Sequence, residues 1–320
     1  MRDKTSILGL ADQPEIRASG QSLEMRFGAD VTRCVVNQDT GTILQEISAP
    51  ILAGSGRELV GACSAGEIKR LGPWNVIDSG EGPVWGAAAI PFIGEDRSGQ
   101  VRSGYLDMLR VLEGKQFYRI WNFVPGINEE QDGLENYRAF NVGRWQAFEE
   151  SGYLESSDRR HPAASAVGIE GGNLAIVFCA GNADSTSYEN PFQVPAWQYP
   201  KEYGPKSPCF VRGSVVENHT VYLSGTASIL GHESTDQTSL TGQFDTTMEN
   251  VDRMLENMGA TRWNHSAQFR IYLRNKSDFP FILDRWKKAV SPDVFERTCF
   301  LQADICRREL LIEIEAIVDI

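Results

Sequence analysis

The closing segment "CFLQADICRRELLIEIEAI", residues 299–317, decides the fold. Strand side chains alternate between faces with a period of two. Ile312, Ile314 and Ala316 therefore share one face, and Leu311, Glu313, Glu315 and Ile317 share the other. Two carboxylates on one face of so apolar a strand have two readings. One is an antiparallel strand with a dry face and a wet face, since charged strand residues are usually solvated. The other is the wall of a cleft, where a carboxyl kept from bulk water has a raised pKa.

The segments before this strand supply its neighbours. "SDFPFILDRWKKAV" (277–290) predicts a helix with Ser277 as its N-cap, and "WNHSAQFRIYLRN" (263–275) a strand. "TGQFDTTMENVDRMLENMGA" (241–260) predicts a helix. Its apolar stripe is Phe244, Met248, Val251, Met254 and Leu255, and Gly259 stands where a C-cap is expected. "CFVRGSVVEN" and "HTVYLSGTASIL" read as two strands. From about residue 205 the order is β-β-α-β-α-β, an α+β unit with both helices on one face of a sheet.

Further upstream, residues 190–213, "NPFQVPAWQYPKEYGPKSPCFVRG", are rich in proline and lack periodicity. A long irregular stretch inside a compact protein is usually functional or a linker. "ASAVGIEGGNLAIVFCAG" (164–181) predicts a hairpin, two apolar runs joined by "EGGN". "LENYRAFNVGRWQAFEES" (134–151) predicts a helix, and "QFYRIWNFV" (116–124) a strand with Tyr118, Ile120 and Asn122 on one face. Residues 1 to about 115 read as short strands and turns, with "PWNVIDSGEGPVWGAAAIPFIGEDRSGQ" (73–100) as loop and edge. The division expected is an N-terminal domain of residues 1–195 and a C-terminal domain of residues 196–320.

Composition narrows the function. A net charge of -12 over 320 residues argues against nucleic acid and against an anionic membrane surface. The six cysteines form no C-x-x-C pair and the four histidines no close pair, so thiols in a cytosol are expected and a metal site is not. "MRDKTSILGLADQPE" lacks the apolar stretch of a signal peptide, and the longest apolar run, "LAIVFCA", is too short to span a bilayer. A cytoplasmic location is expected.

Several segments resemble the RidA/YjgF family: "YGP" at 203–205, "YLSGTASI", "TTMENVDRMLENMGA" and "RTC…IEIEAI", in matching order and spacing. "NPFQVPAWQYPKEYGPKSPCFVRG", "SGTASILGHES" and "LQADICRRELLIEIEA" resemble, more specifically, the chorismatases, enzymes that cleave chorismate and have a RidA-like C-terminal half. This likeness covers about residues 115–320. Lys206 and Phe192 depart from it, standing where an arginine and a polar or basic residue are expected. The resemblance implies a RidA-like, chorismate-mutase-like C-terminal domain. A β-rich N-terminal half would complete a pseudo-trimeric monomer.

It also implies chemistry. Chorismate carries a ring carboxylate, a 4-hydroxyl and an enolpyruvyl ether with a second carboxylate. Protonating the enol methylene gives an oxocarbenium ion and weakens the ether bond, which requires an acid still protonated near neutral pH. Glu313 is the candidate acid, and Glu315 its solvated or salt-bridged companion. Arg138, Arg144 and Arg212 are candidates for the substrate carboxylates, with Tyr203 as a further donor. Arg297 matches the carboxylate-binding arginine of the RidA family. Cys306 resembles the chorismatases in which the 4-hydroxyl displaces pyruvate to give 3-hydroxybenzoate. Ala227 resembles those in which water adds and gives a dihydroxycyclohexadienoate. The expectation is 3-hydroxybenzoate, without metal or organic cofactor. The alternatives are chorismate hydrolysis, RidA-like imine deamination, and a non-enzymatic ligand-binding module.

Overall fold

The computed structural model of this chain describes residues 20–320 apart from 65, 81, 113 and 154–160. The reading of "MRDKTSILGLADQPE" lies outside the described residues. Three sheets make up most of the molecule. A four-stranded sheet has the order Arg33–Asn37, Thr42–Ile47, Gln21–Phe27, Arg57–Cys63. A six-stranded sheet has the order Ala163–Ile169, Gln116–Pro125, Asn173–Gly181, Val84–Pro91, Trp74–Asp78, Glu67–Leu71. The third has seven strands, with Ile312–Asp319 at its centre between Thr220–Thr226 and Gln268–Leu273. Ser185–Tyr188 forms one edge of this sheet and Ile51–Ala53 the other, so strands from before residue 196 take part in it.

Helices cover one face of two of these sheets. Leu240–Asn257 and Phe279–Ala289 bury Met248, Val251, Leu255, Ile282 and Trp286 against Ile312, Ile314 and Ala316. This is the dry face that the alternation of the last strand requires. Arg97–Leu112 and Asn136–Glu150 cover the six-stranded sheet in the same way, packing Val101, Tyr105 and Phe148 on Ile120, Ile176 and Phe178. The opposite faces of these two sheets, with the four-stranded sheet, enclose a shared core that includes Phe27, Trp85, Trp121, Tyr222 and Tyr272. Among the described residues no helix is long and apolar enough to cross a membrane.

Four expectations are corrected. Ala163–Ile169 and Asn173–Gly181 are not a hairpin, because Gln116–Pro125 lies between them, parallel to the first and antiparallel to the second. That strand is buried along nearly its whole length, and a central position gives it partners on both edges. A register shift at Cys179/Ala180 leaves Tyr118 as an extra residue, so it joins the shared core while Ile120 faces the helices. The stretch 73–100 is not loop and edge: Val84–Pro91 is an inner strand and Arg97 opens a helix of 16 residues. Ser277 is not an N-cap. It sits in a short 3-10 turn, and the helix follows from Asp278 without a side-chain cap.

A chain of buried charges joins the three sheets. Arg270 pairs with Glu58 of the four-stranded sheet and with Glu315 of the seven-stranded sheet. Glu315 Oε2 also accepts from Arg119 of the six-stranded sheet at 2.6 Å, and Tyr272 OH donates to its Oε1 at 2.9 Å. Two carboxylates thus meet two guanidinium groups, each contact compensating a charge taken out of water. Removing Glu315 leaves Arg119 buried without its ion-pair partner and Arg270 with Glu58 alone. Glu315→Ala is accordingly expected to lower unfolding free energy by about 3–5 kcal/mol. Denaturant titration reads this directly, and a midpoint equal to the parent's would mean the chain does not hold the sheets together.

Candidate active site

A cavity of about 530 Å³ opens where the two helix-backed sheets meet. The last strand brings Glu313 to its wall, and the loop before that strand brings Cys306, Arg307, Arg308 and Glu309. The helix Asn136–Glu150 presents Tyr137, Arg138 and Arg144, with Tyr137 and Arg144 about two turns apart and so on one face and Arg138 beside them. The irregular stretch 189–212 contributes Tyr199, Tyr203, Phe210 and Arg212, and the strand end Thr220–Thr226 with its following turn contributes Gly225, Ala227 and Ile229. All seven candidates of the sequence reading, Glu313, Cys306, Arg138, Arg144, Tyr203, Arg212 and Ala227, line this one cavity.

Glu313 and Glu315 share a face but not an environment. Both are nearly fully buried, at 4% and 3% exposure. Glu315 holds Arg119, Arg270, Tyr272 and the Ser165 hydroxyl. Burial pushes its pKa up, but the two guanidinium groups and the hydroxyl donors outweigh that, and it lies below the usual carboxylate value. Among the described residues no donor reaches the Glu313 carboxyl. Burial, then the negative charge of Glu315, pushes its pKa up to about 8 against the opposing pull of Arg119 and Arg212. One carboxylate has taken the inner cations, so its neighbour stays protonated near neutral pH.

Gly225 makes room for that carboxyl. A Cβ at this position would overlap Glu313 Oε1, and Ser165 Oγ stands 3.2 Å from the same point. Ser165 Oγ accepts from Gly225 N–H at 2.9 Å while donating to Glu315. The glycine of the "SGTA" turn is therefore required by close approach.

The arginines differ in how much of their hydrogen bonding the protein satisfies. Arg138 lies at the rim, donating to Glu202 O at 3.2 Å and standing 3.4 Å from Glu135. Arg144 is buried, donates to Asn141 Oδ1 at 3.1 Å, and keeps its Nε without a partner. Arg212 is buried, donates to the Tyr199 hydroxyl at 2.6 Å, and likewise keeps Nε unpartnered. Tyr203 OH meets His232 Nδ1 at 3.2 Å. Burial, with Glu313 nearby, pushes the Cys306 thiol up to about 12, so it stays protonated.

Sequence reasoning missed Arg307, whose guanidinium lies 4.1 Å over the Tyr203 ring and donates to Ser234 Oγ at 3.1 Å. Its signal was its position beside Cys306 in the closing segment. It also missed Arg119 and Ser165, whose strands lie some 150 or more residues before the last one. Arg297 is not at the cavity. Its guanidinium donates to His265 O on the surface. Lys206 lies 5.0 Å from the Trp145 ring, Phe192 is exposed under Arg253, and neither lines the cavity. No group of three or more His, Cys, Asp or Glu side chains among the described residues is arranged to hold a metal ion.

Comparison with known proteins gives the following. Residues 75–180 match the family described as "Chorismatase FkbO/Hyg5-like, N-terminal", and residues 206–320 the family described as "Endoribonuclease L-PSP". A 3-hydroxybenzoate synthase of Streptomyces hygroscopicus is 34% identical over 237 residues, covering 68% of this chain and 68% of that protein. A chorismatase of Streptomyces rapamycinicus is 31% identical over 252 residues, covering 73% of this chain and 74% of the other. The crystal structure of a chorismatase superposes with a TM-score of 0.84 at 25% identity, covering 98% of each chain. The fold is α+β with a RidA/YjgF-like C-terminal half.

The electrostatics of the paired glutamates are directly measurable. Carbon-13 NMR of labelled glutamate carboxyls is expected to show one group titrating near pH 8, absent in Glu313→Gln. A spectrum in which every carboxyl titrates near the ordinary value of 4.5 would remove the candidate acid.

Proposed function

Because this chain belongs to the chorismatase family, we propose that it converts chorismate to 3-hydroxybenzoate and pyruvate, with Glu313 as the acid. The observation that carries the reading is the buried, protonated Glu313 carboxyl at the wall of an arginine-lined cavity. Its proton goes to the enol methylene, which becomes the methyl group of pyruvate. The 4-hydroxyl oxygen attacks the ring carbon that bears the ether as the bond from that carbon to the leaving oxygen breaks, which gives a 3,4-epoxide and releases the hydroxyl proton to restore the Glu313 carboxyl. The epoxide then opens by breaking its bond to the 4-carbon, and the proton the ring loses as it aromatises is matched by the one gained at the 3-oxygen. No atom is added from solvent, so chorismate equals the sum of the two products.

Each site residue has a role in this scheme. Arg144 and Arg212, buried guanidinium groups that line the cavity, are the donors for the two substrate carboxylates. Arg138 and Tyr203, already engaged with Glu202 and His232, guide substrate at the rim. Cys306, a neutral thiol, shapes the wall where water would otherwise attack the cation, and Ala227 lines the same cavity as the residue whose resemblance points to water addition instead. The RidA-like imine reading lacks support, since Arg297 is away from the cavity. Both halves of the chain contribute to the lining, Arg144 and Ser165 from one and Arg212 and Glu313 from the other, as the reading of a pseudo-trimeric monomer requires.

The test is chorismate with the purified protein, following pyruvate by a coupled assay and the ring product by chromatography. Glu313→Gln is expected to reduce pyruvate release by at least about 100-fold, the usual contribution of a general acid. Retained turnover in this variant would exclude the role. The raised pKa sets the sign of the pH dependence. Below about 8 the acid is protonated and turnover is full, and above it turnover falls tenfold per pH unit. A rate that rose through that range would point to a base instead. Cys306→Ala should open space for water and divert part of the product to the dihydroxycyclohexadienoate, with pyruvate release retained. An unchanged product ratio would show that Cys306 does not exclude water.

A further inference from the structure

Arg212 has a neighbour outside the cavity lining that none of the chemistry above uses. Tyr188 faces Gly213 in the antiparallel pair of Ser185–Tyr188 and Gly213–Val216, so Glu189 and Arg212 face each other one step beyond the strand ends. Glu189 Oε1 accepts from the Arg212 backbone N–H at 3.0 Å. Its Oε2 is buried, makes no hydrogen bond, and stands 4.0 Å from Arg212 Nε, which is itself buried without a partner. The carboxyl therefore fixes the backbone of Arg212 yet stops short of a bond to the guanidinium.

We propose that Glu189 is a positioning residue. It anchors Arg212 at the cavity wall and sets how much of that arginine's charge a substrate carboxylate meets. The proposal rests on the reading of Arg212 as a carboxylate donor. The guanidinium is oriented by Tyr199 OH at 2.6 Å and by Val194 O at 3.5 Å, both neutral. A fully engaged carboxylate would hold Arg212 in a closed ion pair and weaken its pull on substrate. Burial, against the opposing Arg212 charge and backbone bond, pushes Glu189 up to about 7. Its charge thus switches on across neutral pH. Arg212 is the charged group facing Glu189, while Glu313 and Cys306 face Arg212 from the last strand and its preceding loop.

Steady-state kinetics with chorismate, one pH unit either side of about 7, separate the possibilities. In the parent, KM is expected to rise with pH as Glu189 ionises and offsets Arg212. Glu189→Gln keeps an acceptor for the backbone N–H but cannot ionise, so its KM should rise less. Glu313 titrates in both proteins, so the ratio of their KM values isolates Glu189. Glu189→Ala loses the anchor and should raise KM roughly tenfold at either pH, with kcat little changed. A Gln variant whose KM follows the parent's at both pH values would overturn the proposal, as would Ala and Gln variants that lower kcat alone. Arg212→Gln is the control for the premise. An unchanged KM there would remove Arg212 as a carboxylate donor. A raised KM there, with Glu189 variants like the parent, would overturn the Glu189 role alone.

Discussion

The structure depends on how Glu315 is paired. This carboxylate lies between Arg119 and Arg270, and Arg270 reaches on to Glu58, so one neutral chain of charges crosses from the four-stranded sheet to the other two. Burying an ion is unfavourable unless it is paired and hydrogen-bonded. The three sheets are thereby required to meet in one arrangement, because any other leaves a charge without its partner. The shared apolar core adds the non-directional part of the attraction, and the ions supply the direction.

The same pairing creates the acid. With the inner guanidinium groups occupied, Glu313 sits two residues away, buried, beside a fixed negative charge. Its neutral form is favoured by both effects. Two carboxyls of identical type on one strand face thus acquire opposite states, one held ionised by its partners and the other held protonated by lacking them. A chorismatase needs that combination, since proton donation to a carbon atom near neutral pH requires a carboxyl that has kept its proton. Gly225 and Ser165 complete the arrangement by leaving space for one carboxyl and binding the other.

How much of this was legible in the sequence follows from the range of the interactions. The helix Leu240–Asn257, with its stripe of large apolar residues and Gly259 at φ +77°, was plain because its determinants lie within a few turns. The helix Arg97–Leu112 was missed. It carries Gly99 and Gly104 and a weak stripe of Val101, Tyr105, Met108 and Leu112, and its formation relies on packing against the sheet and the neighbouring helix. The supposed hairpin at 164–181 failed for a related reason. Short spacing favours pairing of neighbours, but the more buried Gln116–Pro125 strand took the place between them. The seven candidate site residues did converge on one cavity, while Arg119, Ser165 and Arg307 entered only with the fold.

The sequence alone determined that Glu313 and Glu315 lie on the face opposite Ile312 and Ile314, because the period of a strand is a local property of the backbone. It also determined the α+β order of the C-terminal half and, through resemblance, the family. Only the tertiary structure decided that the face bearing the glutamates is dry, and which of the two is ionised. That outcome depends on Arg119 and Arg270, which reach Glu315 from two different strands, and on Glu58, which holds Arg270 from a third. A pKa is fixed by what stands within a few ångströms in space, and the chain's order carries that information only once it has folded.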